Sequence, residues 1–600
     1  MIKMFYLYTL LWLFSFAGLL VMLTHRRFEM VMLPGLTAAV FVLYIFSFFS
    51  QLKAGFYLLM ALGALFWILL AAFFLRKQKE NLKEFFDNYA GIGTAAFLFG
   101  TLWFFLLYRN RGFSNCDEFM HWGPMVIESL KNNGFYLTGE ILKVHNDYPP
   151  FLTLLKVLFC GFNGFLYSEK ILYIAQSIFY LSVFLPLFSS LRKKDSFDWM
   201  KGCMILISVF LAELLISKTQ TAQEWALMYN SVYADWVLAA LAGGTLFYAY
   251  RYDLDVFNTV SLSLLLSAIL LSKQIGICFY MLIVFCRVVK SLLKKEKKDI
   301  PYLLTVIIVP LLMMLSWSLL IKSKDIGGQF VVGNISFGEA ISQALFSGSY
   351  ANGIARHFLH ELIFRPMVAH PINLPYFVVS AILMLLMLAV KRKQGILPSV
   401  TYLIGVFGYA FTILLLYMTS FGADEAVVLA SYDRYMISYL FFGMVFVICL
   451  LLDSIRTPLL FLVFPLCMLP FVETSSLKDL LPQRNIVQNQ IDVLLIDPFD
   501  EFGYDREELS GLYFIFHDSK VHAENDPSLF PKELAENDLV YIREYDDQFY
   551  RECWPQQLNE NEPYTRTIYS IQKENEGFRL EPLTLHFYDY VIRYYQIPKN

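Results

Sequence analysis

The chain has 600 residues, of which 57% are hydrophobic, 17% aromatic and only 16% charged, with a mean hydropathy of +0.52. Soluble globular chains run at about 45–50% apolar and about 25% charged, so an ordinary soluble enzyme is excluded, and the aromatic content excludes a disordered chain. The net charge of −3 conceals a split: residues 473–600 hold 12 Lys+Arg against 25 Asp+Glu, while residues 1–472 hold 36 against 26. A basic, apolar body is joined to an acidic, water-compatible tail.

A bilayer crossing takes about 20 mostly apolar residues. In chain order such segments are predicted at 4–23, 31–49, 54–75, 89–108, 170–191, 202–216, 236–250, 257–272, 275–291, 301–321, 375–390, 398–418, 435–453 and 457–472. The expected fold is a polytopic α-helical membrane protein with about fourteen transmembrane helices. The first segment has no small-residue cleavage site and reads as a retained helix. Basic clusters at 26–27, 76–83, 192–194, 251, 287–298, 391–393 and 456 follow the odd-numbered segments. Lys and Arg in short loops mark the cytoplasmic side, so the N-terminus, the loop 109–169 and the acidic tail are expected outside, at a cell membrane. The run 151–165 is apolar, but a crossing there would carry 192–194 outward. It is expected instead to lie in, or dip into, the outer interface.

Three regions follow: extra N-terminal helices over 1–88, a catalytic membrane body over 89–472, and an acidic extracytoplasmic domain over 473–600. In the last, 491–496, 512–516, 539–542 and 567–571 read as strands, with helical patches at 531–535 and 547–554, a small α/β domain. Its acid-rich run 497–505 lacks calcium-loop spacing and reads as a solvated turn. The eight cysteines form no C-x-x-C pair and read mainly as packing residues. There is no P-loop, and the basic charge is a topology signal rather than a nucleic-acid surface, so nucleic acid is not an expected partner.

The polar chemistry concentrates in the outer loops, where charged groups beside a membrane are functional candidates. Asp117 and Glu118 emerge just beyond the fourth segment, with His121 and Trp122 within a helical turn. His145, Asn146, Asp147, Tyr148 and a double proline close that loop. Two carboxylates and a histidine there can serve as general base, metal ligands or proton relay. Asp235 sits at the mouth of the seventh segment with Trp225, Tyr229 and Tyr233, aromatics that suit an interfacial belt. Ser272-Lys273-Gln274 is a turn between two closely joined segments, where a cation suits a lipid phosphate or simply snorkels. The loop 322–374 carries Arg356, His357, His360, Arg365 and His370. His357 and His360 have a spacing compatible with metal ligation but lack a third fixed ligand. Ser431-Tyr432-Asp433-Arg434-Tyr435 offers an arginine, the side chain best fitted to phosphate.

The acidic pair Asp117-Glu118, then Asn146-Asp147-Tyr148-Pro149-Pro150 and an apolar helix, resembles the GT-C class of membrane glycosyltransferases. These use polyprenyl-phosphate sugars and include protein O-mannosyltransferases and the aminoarabinose transferases of lipid A. Tyr148-Pro149-Pro150-Phe151-Leu152 stands where the family has His/Arg-Pro-Pro-Leu. Tyr233-Ala234-Asp235 resembles the acidic residue of the second outer loop, and 270–276 resembles the family's Thr/Ser-Lys turn. The likeness covers 89–290 and departs in having four segments, not one, before the acidic loop.

The resemblance implies transfer of a sugar from a polyprenyl-phosphate donor to an acceptor hydroxyl outside the membrane, with a cell-envelope glycan or teichoic-type polymer as the expected acceptor. Asp117 is the expected base, Glu118 or Asp147 would orient the acceptor, and His121 would hydrogen-bond acceptor or phosphate. Lys273 and Arg434, with Arg356 behind them, would hold the donor phosphate. Asp235, His145, Tyr148 and Trp122 are expected against the substrate. Some relatives use a divalent cation and others do not, which leaves room for Mg or Mn at Asp117. A transporter or flippase of lipid-linked sugars, a glycan polymerase or ligase, and a non-catalytic scaffold are the competing readings.

Overall fold

The structure is a computed structural model that describes residues 2–109, 111–113, 117–137, 145–193, 195–216, 231–294, 299–326, 337–345, 349–368, 374–454, 493–496, 521–524, 537, 539–542, 567–574 and 577–584. The expected segment 457–472, the strand 512–516, the helical patches at 531–535 and 547–554, the acidic run 497–505, Cys116, Cys553, Trp225, Tyr229 and His370 lie outside these residues. The chain divides into two compact units. One comprises Met1–Tyr108, Ser129–Leu137 and Asp147–Leu481; the other comprises Arg109–Glu128, Thr138–Asn146 and Pro482–Asn600. The acidic-loop segments 109–128 and 138–146 thus fall in the second unit.

Among its described residues the first unit is mainly helical. Its N-terminal part runs through α1 (Ile2–Thr24), α2 (Phe28–Ser47), α3 (Leu52–Leu75), α4 (Lys79–Tyr89) and α5 (Ile92–Leu107). A short α6 (Gly123–Lys131) precedes α7 (Phe151–Gly161), α8 (Glu169–Val183), which continues as a 3-10 turn Leu185–Ser190, α9 (Ser196–Ile216) and α10 (Ala234–Arg251). Then come α11 (Val256–Leu270), α12 (Gly276–Lys294), α13 (Ile300–Ser323), α14 (Phe337–Leu345) and α15 (Tyr350–Phe364). A two-stranded ribbon, β1 (Pro366–Val368) with β2 (Leu374–Pro375), leads to α16 (Tyr376–Lys391), α17 (Ile396–Thr419), α18 (Ala423–Val427) and α19 (Tyr432–Ser454).

Among the described residues eight stretches are long and apolar enough to cross a membrane, nine if α4 and α5, bent by 54°, form one. The longest, Tyr376–Thr419, is a hairpin. Its chain reverses at Arg392–Gly395, where a Cβ on Gly395 would lie 2.4 Å from Met387 O, and Ser399 Oγ reaches back to Met384 O at 3.5 Å. Thirteen of the fourteen expected segments coincide with helices; the remaining one lies outside the described residues.

The ends of these helices are sorted by charge. Arg26 pairs with Asp255 at 2.7 Å, Arg27 donates to Leu191 O at 3.1 Å, and Lys193 donates to Phe86 O at 3.1 Å. Lys294 pairs with Asp253 at 2.6 Å, and Arg251 and Lys391 both reach Asp453, at 3.4 and 3.0 Å. The basic loops therefore meet at one end of the bundle. Helices α11 and α12 leave that end and return to it, so their tip, at Lys273, is at the opposite end. Asp235 and Arg434 open α10 and α19, whose other ends carry Arg251 and Asp453, so they share the end of Lys273.

The run expected at the interface is shorter than predicted and differently placed. Helix α7 has eleven residues, about 16 Å at 1.5 Å per residue, too short to cross. All eleven are buried, Lys156 included, against α2, α3 and α8. It is enclosed by protein and does not lie with one face to lipid.

In the second unit, five strands form one sheet: β3 (Val493–Ile496), β4 (Val521–Glu524), β5 (Leu539–Ile542), β6 (Thr567–Glu574) and β7 (Gly577–Thr584), in the order β4-β3-β5-β6-β7. The first three are parallel and the last three antiparallel. The strands expected from sequence are the central ones. The two it missed, β4 and β7, are the edges; they interleave His, Glu and Arg with apolar residues, as exposed edges do, and so carry no apolar run.

Candidate functional site

Each unit assembles a group of the expected residues. In the first, Lys273 stands on the tight turn between α11 and α12. Ser272 Oγ donates to Ala268 O at 2.6 Å, and a Cβ at Gly276 would lie 2.2 Å from Ile269 O, which only glycine accommodates. The Lys273 ammonium donates to Asp235 Oδ1 at 2.8 Å and lies 5.1 Å from the Tyr435 ring centroid. Asp235 is in the first turn of α10, where the helix dipole also favours a carboxylate. Both partners are more than 90% buried, at 6% and 7% exposure. Arg434, in the first turn of α19, places its guanidinium 5.1 Å from the Tyr233 ring and 5.4 Å from Tyr435, a cation–π arrangement.

The same turn meets the segment that closes the loop before α7. Gln274 Nε2 donates to Asp147 Oδ2 at 3.4 Å, and the Phe151 amide donates to Leu271 O at 2.8 Å. Trp317 Nε1 of α13 holds the Asp147 carbonyl at 3.2 Å, and the Tyr136 hydroxyl holds that of Tyr148. Below the site, Lys156 Nζ and Gln176 Nε2 donate to Val232 O and Tyr233 O, each at 2.9 Å. These two carbonyls lead into α10, so the clamp orients both the Tyr233 ring and Asp235.

In the second unit the backbone from Glu118 to Trp122 forms a single π-turn, with the Gly123 amide bonded to Glu118 O. Such turns are rare and frequent at functional sites. Glu118, His121 and Trp122 are buried and Asp117 is half-buried. The His121 ring lies 4.8 Å from Trp122 and 4.7 Å, edge-on, from His145. His145 has φ of 57°, a left-handed conformation in which histidine is tolerated better than most residues.

Several expectations are changed by this geometry. Lys273 is not an isolated cation facing lipid: Asp235 neutralises it. Arg356 is exposed on α15. The arginine of that loop which reaches the site end is Arg365, whose Nη2 donates to Asp433 Oδ2 at 2.7 Å. His357 and His360 both approach Glu361 Oε1, at 3.9 and 3.0 Å. His357 Nδ1 is 2.9 Å from Val427 O. Among the described residues no three His, Cys, Asp or Glu side chains are grouped to hold a metal ion. Sequence reasoning quoted Gln274 and Tyr435 only as neighbours of Lys273 and Arg434, and missed Trp317, Lys156 and Gln176 as site residues. Lys156 carried a usable signal, a lone lysine in an apolar run; the others did not.

Burial pushes the Asp147 carboxyl above its ordinary 3.8, and hydrogen bonds from its own backbone and from Gln274 pull it partly back. A carboxyl raised on folding contributes stability that is full below its unfolded pKa and lost as pH rises through its folded value. Asp147→Asn is therefore expected to flatten the loss of thermal stability above pH 4. An unchanged slope in melts of the purified protein would contradict this.

No known protein family, curated protein or solved structure matches the chain.

Proposed function

We propose that the chain is a GT-C-type membrane glycosyltransferase with fourteen transmembrane helices. It moves a sugar from a polyprenyl-phosphate donor to a hydroxyl of a cell-envelope glycan or teichoic-type polymer. The observation that carries the reading is the meeting of three segments far apart in sequence. The Lys273 turn is bonded to Asp147 through Gln274 and to Asp235 through its ammonium. These are the segments in which the resemblance lies. They sit at the end opposite the basic loops, and the positive-inside rule puts that end outside the cell.

In this reading Asp117 takes the proton of the acceptor hydroxyl as its oxygen bonds to the anomeric carbon. The carbon–phosphate oxygen bond breaks on the other face, with inversion, and polyprenyl phosphate departs. Lys273 and Arg434 stabilise the charge that builds on that phosphate, in a site already organised for it. An ammonium has three donors; Asp235 takes one and aims the others. The resemblance assigns Glu118 and Asp147 to orienting the acceptor, and His121, Trp122, His145 and Tyr148 to contacts with the substrate.

One observation favours a second reading, a transporter of lipid-linked sugars: a fully buried lysine in a helix too short to cross is a device transporters use. Glycan analysis of a deletion strain separates the two. The transferase predicts loss of one sugar, restored by the wild-type gene and not by Asp117→Asn at equal membrane level. Restoration by D117N, or an unchanged glycan profile, would overturn the transferase.

A further inference from the structure

Helix α15 is apolar on two faces, and the fold uses only one. Ala351, Ala355, Phe358 and Leu362 recur at intervals of three and four and are buried. Arg356, Leu359, His360 and Ile363 follow the same rhythm on another face and are exposed, with Phe364 beside them at 63% exposure. Its neighbours repeat the pattern. On α14, Ile341 and Leu345 are exposed, Leu345 at 81%, and the α18 region exposes Val427 and Val428. His357 Nδ1, 2.9 Å from Val427 O, joins α15 to α18.

A surface of this kind is costly in water and marks an interaction site. Its position says what covers it. Helices α14 and α15 both pack on α17, whose outer face exposes Leu403, Ile404, Phe407 and Phe411 at helical spacing, as a lipid-facing span does. Helices α14 and α15 thus lie against a helix whose exposed face is apolar. The surface of α15 lies at the site end, because Arg365, which caps α15, pairs with Asp433 in the first turn of α19. Arg356 stands in the middle of the stripe and, among the described residues, makes no hydrogen bond or ion pair.

We propose that α14, α15 and α18 form a platform sunk into the headgroup–acyl boundary of the leaflet bordering the candidate site, with Leu359, Ile363 and Phe364 among the acyl chains and Arg356 on a phospholipid phosphate. Amphipathic helices of this kind seat their apolar face about 5–10 Å into the boundary. The platform anchors the Arg365–Asp433 ion pair, and through it the start of α19 that carries Arg434. The proposal rests on membrane insertion alone and stands or falls independently of the transferase reading.

The test uses the full chain, without its native cysteines, in vesicles of phosphatidylcholine and phosphatidylglycerol. Nitroxide labels are placed at Leu359→Cys and Phe364→Cys, exposed positions where folding is not at stake. Both labels are expected to collide with oxygen in preference to a water-soluble nickel chelate, and the Arg356→Glu background should move the 359 label toward water. Preference for the nickel chelate at both sites would overturn the platform. Shielding from both reagents with dipolar coupling between labels would mean that a second copy covers the surface, and would also overturn it. A label depth unchanged by R356E would remove the phosphate contact.

Discussion

Replacing Lys273 by Met is expected to cost about 3–5 kcal/mol of folding stability, because it leaves a buried carboxylate without its partner. Asp235 is 6% exposed and its Oδ1 receives the ammonium at 2.8 Å. Asp235→Asn should destabilise for the same reason from the other side. The double variant, D235N with K273M, has no stranded charge, and a buried pair replaced as a unit is often nearly neutral. The three variants form a thermodynamic cycle, read by thermal or denaturant unfolding of the purified protein. If the two single costs simply add in the double variant, the pair is not coupled and cannot be the centre of the site. The same double variant separates stability from chemistry. It is expected to fold yet lose transfer by at least the ~10²–10³-fold that removal of one preorganised charge-stabilising donor costs. Near-normal turnover in it would remove Lys273 from the mechanism.

The second large effect is expected at Gly243, through packing rather than charge. A Cβ there would stand 2.6 Å from the backbone oxygen of Phe442 and 2.9 Å from Val445 Cβ. Backbone cannot swing aside as a side chain can, so Gly243→Ala must push α10 away from α19. Overpacking of this kind costs about 1–3 kcal/mol. Small residues are how membrane helices approach closely, and this contact has a functional consequence. Tyr233 caps α10 and α19 carries Arg434, so the separation of the two helices sets the Arg434–Tyr233 cation–π distance. Gly408, on α17, is the control: a Cβ there meets nothing within 4 Å. Gly408→Ala should be neutral or stabilising by up to about 1 kcal/mol, since alanine is the better helix former. Equal melting temperatures for G243A and G408A would refute the packing argument.

A second reciprocal fit lies in the same wall of the bundle. The Tyr402 ring occupies the space left by Gly443, and the Tyr439 hydroxyl occupies that left by Gly405. The two rings stack at 5.1 Å, and Tyr439 donates to the Tyr402 carbonyl. The pairing explains why a tyrosine, with a polar tip that needs a partner, stands at 439 where an apolar helix interface would take phenylalanine.

How far each feature could be read in advance follows from the range of the interactions that make it. Hydropathy is local: twenty apolar residues specify a helix wherever they are, so thirteen segments fell where the sequence put them. The same holds for β3, β5 and β6, whose apolar runs announce strands buried in the sheet. The failures are those of local reading. The run 151–165 was expected at the interface because it is apolar and a crossing there would carry 192–194 outward, and nothing in its own residues says that α2, α3 and α8 enclose it. The edges β4 and β7 were invisible because an edge strand keeps its charges.

The sequence by itself determined the class of the molecule: a basic, helical, membrane-embedded body, an acidic tail, and the identity of the residues with chemistry to offer, Asp117, Asp147, Asp235, Lys273 and Arg434 among them. Only the tertiary structure decided which of these are partners. Lys273 meets a carboxylate 38 residues away, and its neighbour Gln274 meets one 127 residues away. A charge in a sequence has a sign but no partner, and burial beside an opposite charge is a property of the packed bundle. The same packing turned Arg356 outward and brought Arg365 to Asp433, two arginines nine residues apart that the sequence could not rank.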